Sequence, residues 1–282
     1  MTRRILPGVL CAVGLASASC IPVDEPRSQA GSAPYSTVVA APPRATTPEA
    51  SPVPPGAALD VSSREPVPGE NFDFNLCTVA WSFVLGDGRT IAVTASHCGE
   101  PGDTVWAGNA EGEFTYPAEP VGTIIYSDLS APETHELDFA LVEITRDVDF
   151  YTPRDMPTSV ATAGESTLPA EVCKLGRITG ETCGELTHRE GPGKLTYDDR
   201  TVDTRSARAH ACSARGDSGA PVYGAPGTPQ EGVIVGVLSG TTDKAVDGAE
   251  CAQDAGAEMS FTVAADINAV LPKILDPSKP VG

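Results

Sequence analysis

Short apolar runs bounded by turn residues fill the sequence after residue 70, and this pattern constrains the fold more than any other feature. The runs cover residues 77–84, 90–94, 121–126, 139–144, 170–174, 232–239 and 259–263. Gly, Pro, Asp or Asn separates most of them, and the sequence GDG at 86–88 is a hairpin turn signal. The 28 glycines, 26 prolines and 5% aromatic residues also favour turns and short strands. We therefore predict an all-β domain over residues 71–282, with one helix at about residues 265–275.

The first twenty residues resemble a secretory signal. Arg3 and Arg4 precede an apolar run over residues 5–15, which is too short to span a bilayer. The arginine pair fits either a twin-arginine export signal or an ordinary one. Both alternatives predict that residues 1–20 direct export of the chain.

Two processing routes are open at the end of this signal. The chain can be cleaved after Ala18, or before Cys20 with a lipid attached to that cysteine. Residues 15–20 resemble a bacterial lipoprotein signal only loosely, because Ser17 stands where Leu is usual. Residues 21–70 contain eleven prolines and many Ala, Ser and Thr residues, and such a segment cannot bury a core. We predict a disordered linker or a short propeptide there, and a secreted protein whose only membrane link would be a lipid on Cys20.

The charge of the chain excludes several classes of partner. The formal net charge is −19, and no Lys/Arg cluster occurs beyond the first few residues, so nucleic acid and anionic membrane surfaces are poor partners. No Cys-x2-Cys pair is present and the four histidines are scattered, so zinc-ligand spacing is absent. We expect neither a metal nor a cofactor.

One segment carries a candidate nucleophile. The sequence GDSGAP at 216–221 places Ser218 between glycines, in a turn that can bring the backbone N–H groups of Gly216 and Ser218 to one point. Two converging N–H donors can stabilise an oxyanion. The tetrapeptide GDSG is common in loops, so it predicts a catalytic serine only in combination with other groups.

Two further segments carry a candidate base and its orienting acid. The sequence TASHC at 94–98 follows a predicted strand and places His97 beside a cysteine. Asp138 precedes the apolar run at 139–142, where a buried carboxylate would accept a hydrogen bond from an imidazole N–H. A nucleophile, a base and an orienting acid are the groups that acyl transfer requires.

Taken together, the three segments resemble the chymotrypsin-like serine endopeptidases, because His97, Asp138 and Ser218 follow each other in the order of that family's triad. Subtilisins and α/β-hydrolases order their triads differently. The resemblance is closest to the bacterial branch of streptogrisins and alpha-lytic endopeptidase. Residues 77–98, the segment VCKLGRITGETCGE at 172–185, and the stretch from ACSAR at 211–215 to Cys251 carry it.

The resemblance implies a fold and a disulfide pattern. The fold is two six-stranded antiparallel β-barrels of the trypsin type, with the site between them and a short C-terminal helix. Six cysteines remain after the predicted signal, and the residues alone permit 15 pairings. The pairs implied by the resemblance are Cys77 with Cys98, Cys173 with Cys183, and Cys212 with Cys251.

The resemblance also implies residues that contact substrate. Ser239, Gly240 and Thr241 would form the edge strand that pairs with substrate, and Ser213 and Leu238 would line the specificity pocket. A small and an apolar lining residue predict an apolar substrate residue on the acyl side of the cut, although Leu238 could instead pack in the core. Acidic residues 243, 247 and 250 could reach the pocket mouth or remain solvated loop charges.

A buried ion pair is predicted beneath the serine turn. In the bacterial branch a basic side chain just after a cysteine pairs with the acid that precedes the nucleophile, and Lys174 and Asp217 occupy these positions. A buried carboxylate needs such a partner. We predict that Lys174 pairs with Asp217 without any activation cleavage, with Arg177 as the fallback partner.

These observations predict a secreted serine endopeptidase that acts on proteins or peptides through an acyl-enzyme intermediate, and we expect it to be a monomer. The alternative is a catalytically silent, surface-tethered binding protein on the same fold. A silent relative usually lacks a triad member, and none is missing in this sequence.

Overall fold

The computed structural model describes residues 52–156, 160, 167–241 and 257–275. The predicted signal, Cys20, Cys251 and the acidic residues at 243, 247 and 250 lie outside this part of the chain. The described residues form two curled antiparallel β-sheets and one α-helix. The predicted all-β fold with a short C-terminal helix is therefore confirmed.

Seven strands form the first sheet. They are β1 (Ala58–Ser62), β2 (Asn75–Thr78), β3 (Trp81–Val84), β4 (Thr90–Thr94), β5 (Thr104–Ala107), β6 (Gly122–Ser127) and β7 (Ala140–Ile144). Their order across the sheet is β2-β1-β5-β6-β7-β4-β3. β3 and β4 form the hairpin predicted around the GDG turn, with Trp81 opposite Val93 and Val84 opposite Thr90.

The apolar run at 77–84, predicted as one strand, is divided between two strands. β2 pairs with β1, whereas β3 pairs with β4 at the other end of the sheet. Between them the backbone changes partner: Val79 donates its N–H to the carbonyl of Ala57 and Ala80 donates to that of Val93, both at 2.8 Å. The first sheet accordingly has seven strands where six were predicted.

The sheet also begins earlier in the chain than predicted. β1 lies within the segment predicted as a linker, yet all five of its residues are buried and it pairs with both β2 and β5. Its sequence, ALDVS, can bury apolar side chains because Leu59 and Val61 point into the core. The predicted domain boundary at residue 71 is therefore wrong for this strand, which belongs to the folded domain.

The second sheet is a closed six-stranded barrel. Its strands are β8 (Glu171–Gly176), β9 (Gly180–Tyr197), β10 (Arg200–Ala209), β11 (Pro221–Gly224), β12 (Ile234–Thr241) and β13 (Met259–Val263). They follow the order β10-β13-β12-β11-β8-β9 around the barrel. The helix α1 (Ala264–Ile274) continues directly from β13 and packs Ile267 and Leu271 inward.

A long hairpin of β9 and β10 extends beyond the barrel. Its turn is at Asp198 and Asp199, both with positive φ, and the pairing runs from Tyr197 opposite Arg200 to Leu186 opposite Ala209. The alternating polar residues of β9 leave most of its length partly exposed. This hairpin carries residues 192–198 to the cleft described below.

Candidate active site

His97, Asp138 and Ser218 form a continuous chain of hydrogen bonds at the junction of the two sheets. The His97 Nδ1 atom lies 2.9 Å from Asp138 Oδ2, and His97 Nε2 lies 2.8 Å from Ser218 Oγ. Asp138 is fully buried, whereas His97 keeps 14% of its side chain exposed. A base in contact with both a hydroxyl and a buried orienting carboxylate is the arrangement that activates a nucleophile.

The position of His97 follows from the end of β4. The chain leaves that strand into a 3-10 turn, Ser96–Cys98, and the disulfide between Cys77 and Cys98 ties this turn to β2. The Ser96 Oγ atom lies 2.7 Å from Ser127 Oγ and accepts the N–H of Leu129, so the turn is also fixed to the end of β6.

Asp138 is held from both sheets. Its backbone N–H donates to the hydroxyl of Thr262 in β13, at 3.1 Å. The loop before it wraps around the buried carboxylate of Asp128, which accepts the hydroxyl of Tyr126 and the N–H groups of His135 and Leu137. Thr262 and Asp128, both buried, therefore hold Asp138 and the loop before it in place. The sequence patterns indicate neither residue.

The tip of the β9–β10 hairpin sets part of the environment of His97. The Tyr197 ring centroid lies 5.7 Å from that of His97, and Asp198 follows it in the turn. Burial lowers the pKa of His97, but the charge and hydrogen bond of Asp138, together with the charge of Asp198, more than offset this effect. The pKa of His97 consequently lies above its ordinary value.

The turn around Ser218 depends on two glycines in the left-handed region. Gly216 has φ of 95° and Gly219 has φ of 85°. A Cβ on Gly216 would lie 2.7 Å from Ile178 Cγ1, and one on Gly219 would lie 2.3 Å from the carbonyl oxygen of Thr78. Both positions therefore exclude other side chains, for reasons of φ and of space.

Thr78 joins this turn to the first sheet. Its N–H donates to the carbonyl of Ser218 and its hydroxyl donates to the carbonyl of Gly216, both at 2.8 Å. These two bonds hold the carbonyl groups on either side of Asp217 and so fix the serine turn against the end of β2. The sequence reasoning missed Thr78, whose only signal is its place directly after Cys77.

Asp217 is paired with Lys174 beneath the serine turn. Both side chains are fully buried, and Lys174 Nζ lies 2.9 Å from Asp217 Oδ2. The same carboxylate accepts the N–H groups of Ile178 and Ala214 at 2.9 and 3.1 Å. Burial lowers the pKa of Lys174, and Asp217 counteracts this in part. Lys174 donates further to the carbonyl of Gly180, and it is the Lys174 ammonium rather than an external amine that pairs with the Asp217 carboxylate.

Arg177, the fallback partner for Asp217, lies elsewhere. Its guanidinium is buried, contacts the carboxylate of Asp60 in β1, and donates to the carbonyl of Leu59 at 2.9 Å. It also donates to the carbonyl of Asn109 at 2.9 Å. Arg177 therefore ties β1 to the turn after β8, where Ile178 and Thr179 bind Asp217.

An open cleft of about 1030 Å³ lies beside Ser218, which is one of the residues that line it. Four of the residues predicted to contact substrate line it: Ser213, Ser239, Gly240 and Thr241. Leu238 does not line this cleft. Its side chain is fully buried, and it lies opposite Phe261 in the barrel core.

Two disulfides are present among the described residues. Besides Cys77–Cys98, a bond joins Cys173 and Cys183, which face each other across β8 and β9. Cys212 is also disulfide-bonded, while Cys251 lies outside the described residues.

The sequence reasoning missed several cleft residues. Tyr197, Asp198 and Arg208 line the cleft, and all three lie in or next to the β9–β10 hairpin. A period-two alternation flanking the sequence YDDR at 197–200 could have indicated this hairpin. In the part of the chain that the structure describes, no helix has both the length and the apolar character needed to cross a membrane.

Comparisons with known proteins place the fold. The family model described as Trypsin matches residues 83–254. Thermobifida fusca Protease A is 24% identical, with a TM-score of 0.51, over 79% of this chain and 95% of that one. A Cellulomonas bogoriensis chymotrypsin is 23% identical, with a TM-score of 0.49, over 78% and 95%. A serine protease described as glutamic acid specific, with a histidine triad in substrate binding, is 20% identical, with a TM-score of 0.50, over 78% and 97%.

Proposed function

Because this chain belongs to the trypsin family, we propose that it is an exported serine endopeptidase in which Ser218 is the nucleophile. The observation that carries the proposal is the chain of hydrogen bonds from Asp138 through His97 to Ser218, open to a cleft at its Ser218 end. All three side chains lie within 3 Å of their partners without any movement of the backbone. Geometry of this kind is the first requirement for proton transfer from a nucleophile.

In the proposed reaction, Ser218 Oγ attacks the carbonyl carbon of the substrate peptide and His97 Nε2 takes its proton. Asp138 keeps the imidazole oriented and stabilises the imidazolium that forms. The N–H groups of Gly216 and Ser218 receive the oxyanion. His97 then returns the proton to the leaving amine, and a water molecule repeats the sequence on the acyl-enzyme.

The proposal includes export of the chain. Residues 1–20 have the composition of a secretory signal, and the disulfides at Cys77–Cys98 and Cys173–Cys183 require oxidising surroundings. The mass of the N-terminal peptide of the exported protein separates the two processing routes. Cleavage after Ala18 leaves an unmodified N-terminus, whereas a lipid on Cys20 adds acyl mass to that residue.

The position of Leu238 does not support the apolar substrate preference predicted from it. That prediction needed the Leu238 side chain in the specificity pocket, and the side chain packs in the barrel core instead. Of the residues predicted to contact substrate, Ser213, Ser239 and Thr241 line the cleft with polar side chains.

Labelling with a fluorophosphonate at neutral pH tests the proposed nucleophile. We expect stoichiometric modification of Ser218 that is lost in Ser218→Ala and retained in Ser63→Ala, which removes an exposed serine outside the cleft. A folded wild-type protein that does not react would support the silent binding protein instead and would sink the enzyme proposal.

A further inference from the structure

The wall of the cleft beside Ser218 is made from the outward faces of three neighbouring strands. Side chains alternate along β13, so its core residues are separated by a cleft residue, and β12 has a register shift between Leu238 and Gly240. In β13 Met259 and Phe261 are fully buried and Ser260 lines the cleft; in β12 Leu238 is buried and Ser239 lines it. The main-chain bond from Gly219 N–H to the Leu238 carbonyl, at 2.8 Å, places this wall directly beside the serine turn.

A row of three paired residues crosses these strands, from the edge predicted to bind substrate to a positively charged side chain. Gly240 in β12 lies opposite Ser260 in β13, and Ser260 lies opposite Arg208 in β10. Residues directly opposite one another share a face of the sheet, so Arg208 projects on the cleft side, as its place in the cleft lining shows. Two strand spacings, roughly 9 to 10 Å, separate the backbone of Gly240 from that of Arg208. The guanidinium therefore lies at the end of this row away from Gly240, and its side chain is 36% exposed.

Several hydroxyl groups line the same cleft. Ser206, Ser213, Ser239, Thr241 and Ser260 all line it together with Arg208. Ser213 Oγ and Ser239 Oγ are buried and have no hydrogen-bond partner within the protein. Buried hydroxyls without a partner are rare, because leaving a buried polar atom without a hydrogen bond destabilises the folded protein. Their position beside Ser218 indicates that a bound substrate supplies the missing acceptor.

Arg208 is paired with one carboxylate near this wall and can still bind a second anion, because a guanidinium has five N–H donors. Glu258 forms an ion pair with Arg208 at 3.7 Å, which is longer than a hydrogen bond, and its carboxylate also accepts the hydroxyl of Thr187 at 2.5 Å. Among the acidic residues of the cleft lining, Asp203 is bound to Lys194 at 2.6 Å. Asp198, the other one, lies at the hairpin tip next to His97.

We propose that this wall is the pocket for the substrate residue on the acyl side of the cut, and that it selects an acidic side chain, glutamate in particular. The Ser213 and Ser239 hydroxyls would donate to the substrate carboxylate, and Arg208 would provide the opposing charge at the far end of the row. Glutamate reaches further toward Arg208 than aspartate does. The inference rests on the proposed function, because it assigns a preference to the same cleft that Ser218 serves.

Four peptides that differ only at this residue test the proposal, with Glu, Gln, Phe and Lys in turn. We expect kcat/KM for Glu to exceed that for Gln by about 10- to 100-fold, the size of a charge-assisted hydrogen bond. Phe and Lys should be poorer than Glu by at least as much. Arg208→Gln should bring the Glu to Gln ratio to within a few-fold of one, whereas Arg208→Lys should retain part of the preference.

Arg205→Gln is the matched control, because it replaces another arginine of the same strand, β10. Arg205 is half exposed, pairs with Glu190 and does not line the cleft. It should leave the Glu to Gln ratio unchanged. The fluorophosphonate labelling rate of each variant reports whether the Ser218 site remains intact.

The outcomes separate the two proposals. A wild-type protein that reacts with the fluorophosphonate but prefers Phe or Lys overturns the acidic pocket and leaves the endopeptidase in place. A Glu preference that survives Arg208→Gln in a reactive variant removes Arg208 from the pocket. Absence of fluorophosphonate labelling in folded wild-type protein counts against the endopeptidase itself.

Discussion

Two carboxylates act on His97 from opposite directions, and they set the pH range in which Ser218 can be activated. Asp138 contacts Nδ1 from the first sheet, whereas Asp198 acts through its charge from the hairpin tip. Both raise the pKa of His97 against the effect of burial. Only the neutral imidazole can accept a proton, so reactivity should rise with pH through a midpoint above the ordinary histidine value of about 6.5.

Asp198→Asn should shift this midpoint to lower pH. The substitution removes one negative charge that favours the imidazolium, and asparagine tolerates the positive φ of 45° at this position. The measurement is the rate of fluorophosphonate labelling of Ser218 as a function of pH. Asp199→Asn, in the same turn, is the control and should leave the midpoint in place; an unmoved midpoint in Asp198→Asn would contradict the assigned role.

Lys174→Met should strongly destabilise the protein. It leaves the fully buried Asp217 without its ion-pair partner, and breaking a buried pair on one side costs about 3 to 5 kcal/mol. Chemical denaturation would measure the loss, and the labelling rate of Ser218 should fall because Asp217 anchors the serine turn. Lys273→Met, at an exposed position in α1, should change stability by less than about 0.5 kcal/mol. Wild-type stability and labelling in Lys174→Met would refute the pairing as a structural requirement.

At the scale of elements, strand parity decides which residues face the cleft. Ser239 and Leu238 are neighbours in sequence, and the resemblance alone gave both a place at the substrate site. Leu238 pairs with Phe261 and is buried, whereas Ser239 lies at the register shift between Leu238 and Gly240 and lines the cleft. Apolar character indicated a strand at this position, but no local pattern determines which face of it is buried.

β1 and the β9–β10 hairpin show two further limits of the sequence. The apolar residues of β1 lie between proline-rich segments, so composition assigned them to a linker, although β2 and β5 pair with them on either side. The hairpin strands are mostly polar and partly exposed, so they lack the apolar runs from which the other strands were predicted. In both cases long-range pairing outweighs local composition.

Leu59→Ala in β1 tests whether this strand belongs to the folded domain. Leu59 is fully buried, and such a truncation costs about 2 to 5 kcal/mol. Val67→Ala, at a position 49% exposed, is the control and should change the free energy of unfolding by less than about 0.5 kcal/mol. The comparison is made by denaturant titration. Equal stability of the two variants would contradict the assignment of β1 to the folded domain.

At the scale of the whole molecule, the candidate site exists only where the two sheets meet. His97 and Asp138 come from the first sheet, Ser218 from the second, and Thr78 and Thr262 bond across the junction. The sequence order of three motifs predicted this assembly, because the motifs are short, local and specific in combination. The cross-sheet bonds of Thr78 and Thr262 could not be predicted in this way, since each joins residues more than 120 positions apart.

The disulfide between Cys77 and Cys98 makes the proposed activity depend on the redox conditions around the chain. It closes the turn that carries His97 onto β2, and such a bond does not persist among the reduced thiols of a cytoplasm. Before export, a newly made chain would therefore lack the disulfide that holds the turn carrying His97. In the proposed export, oxidation outside the cytoplasm would complete the brace on the turn that carries His97.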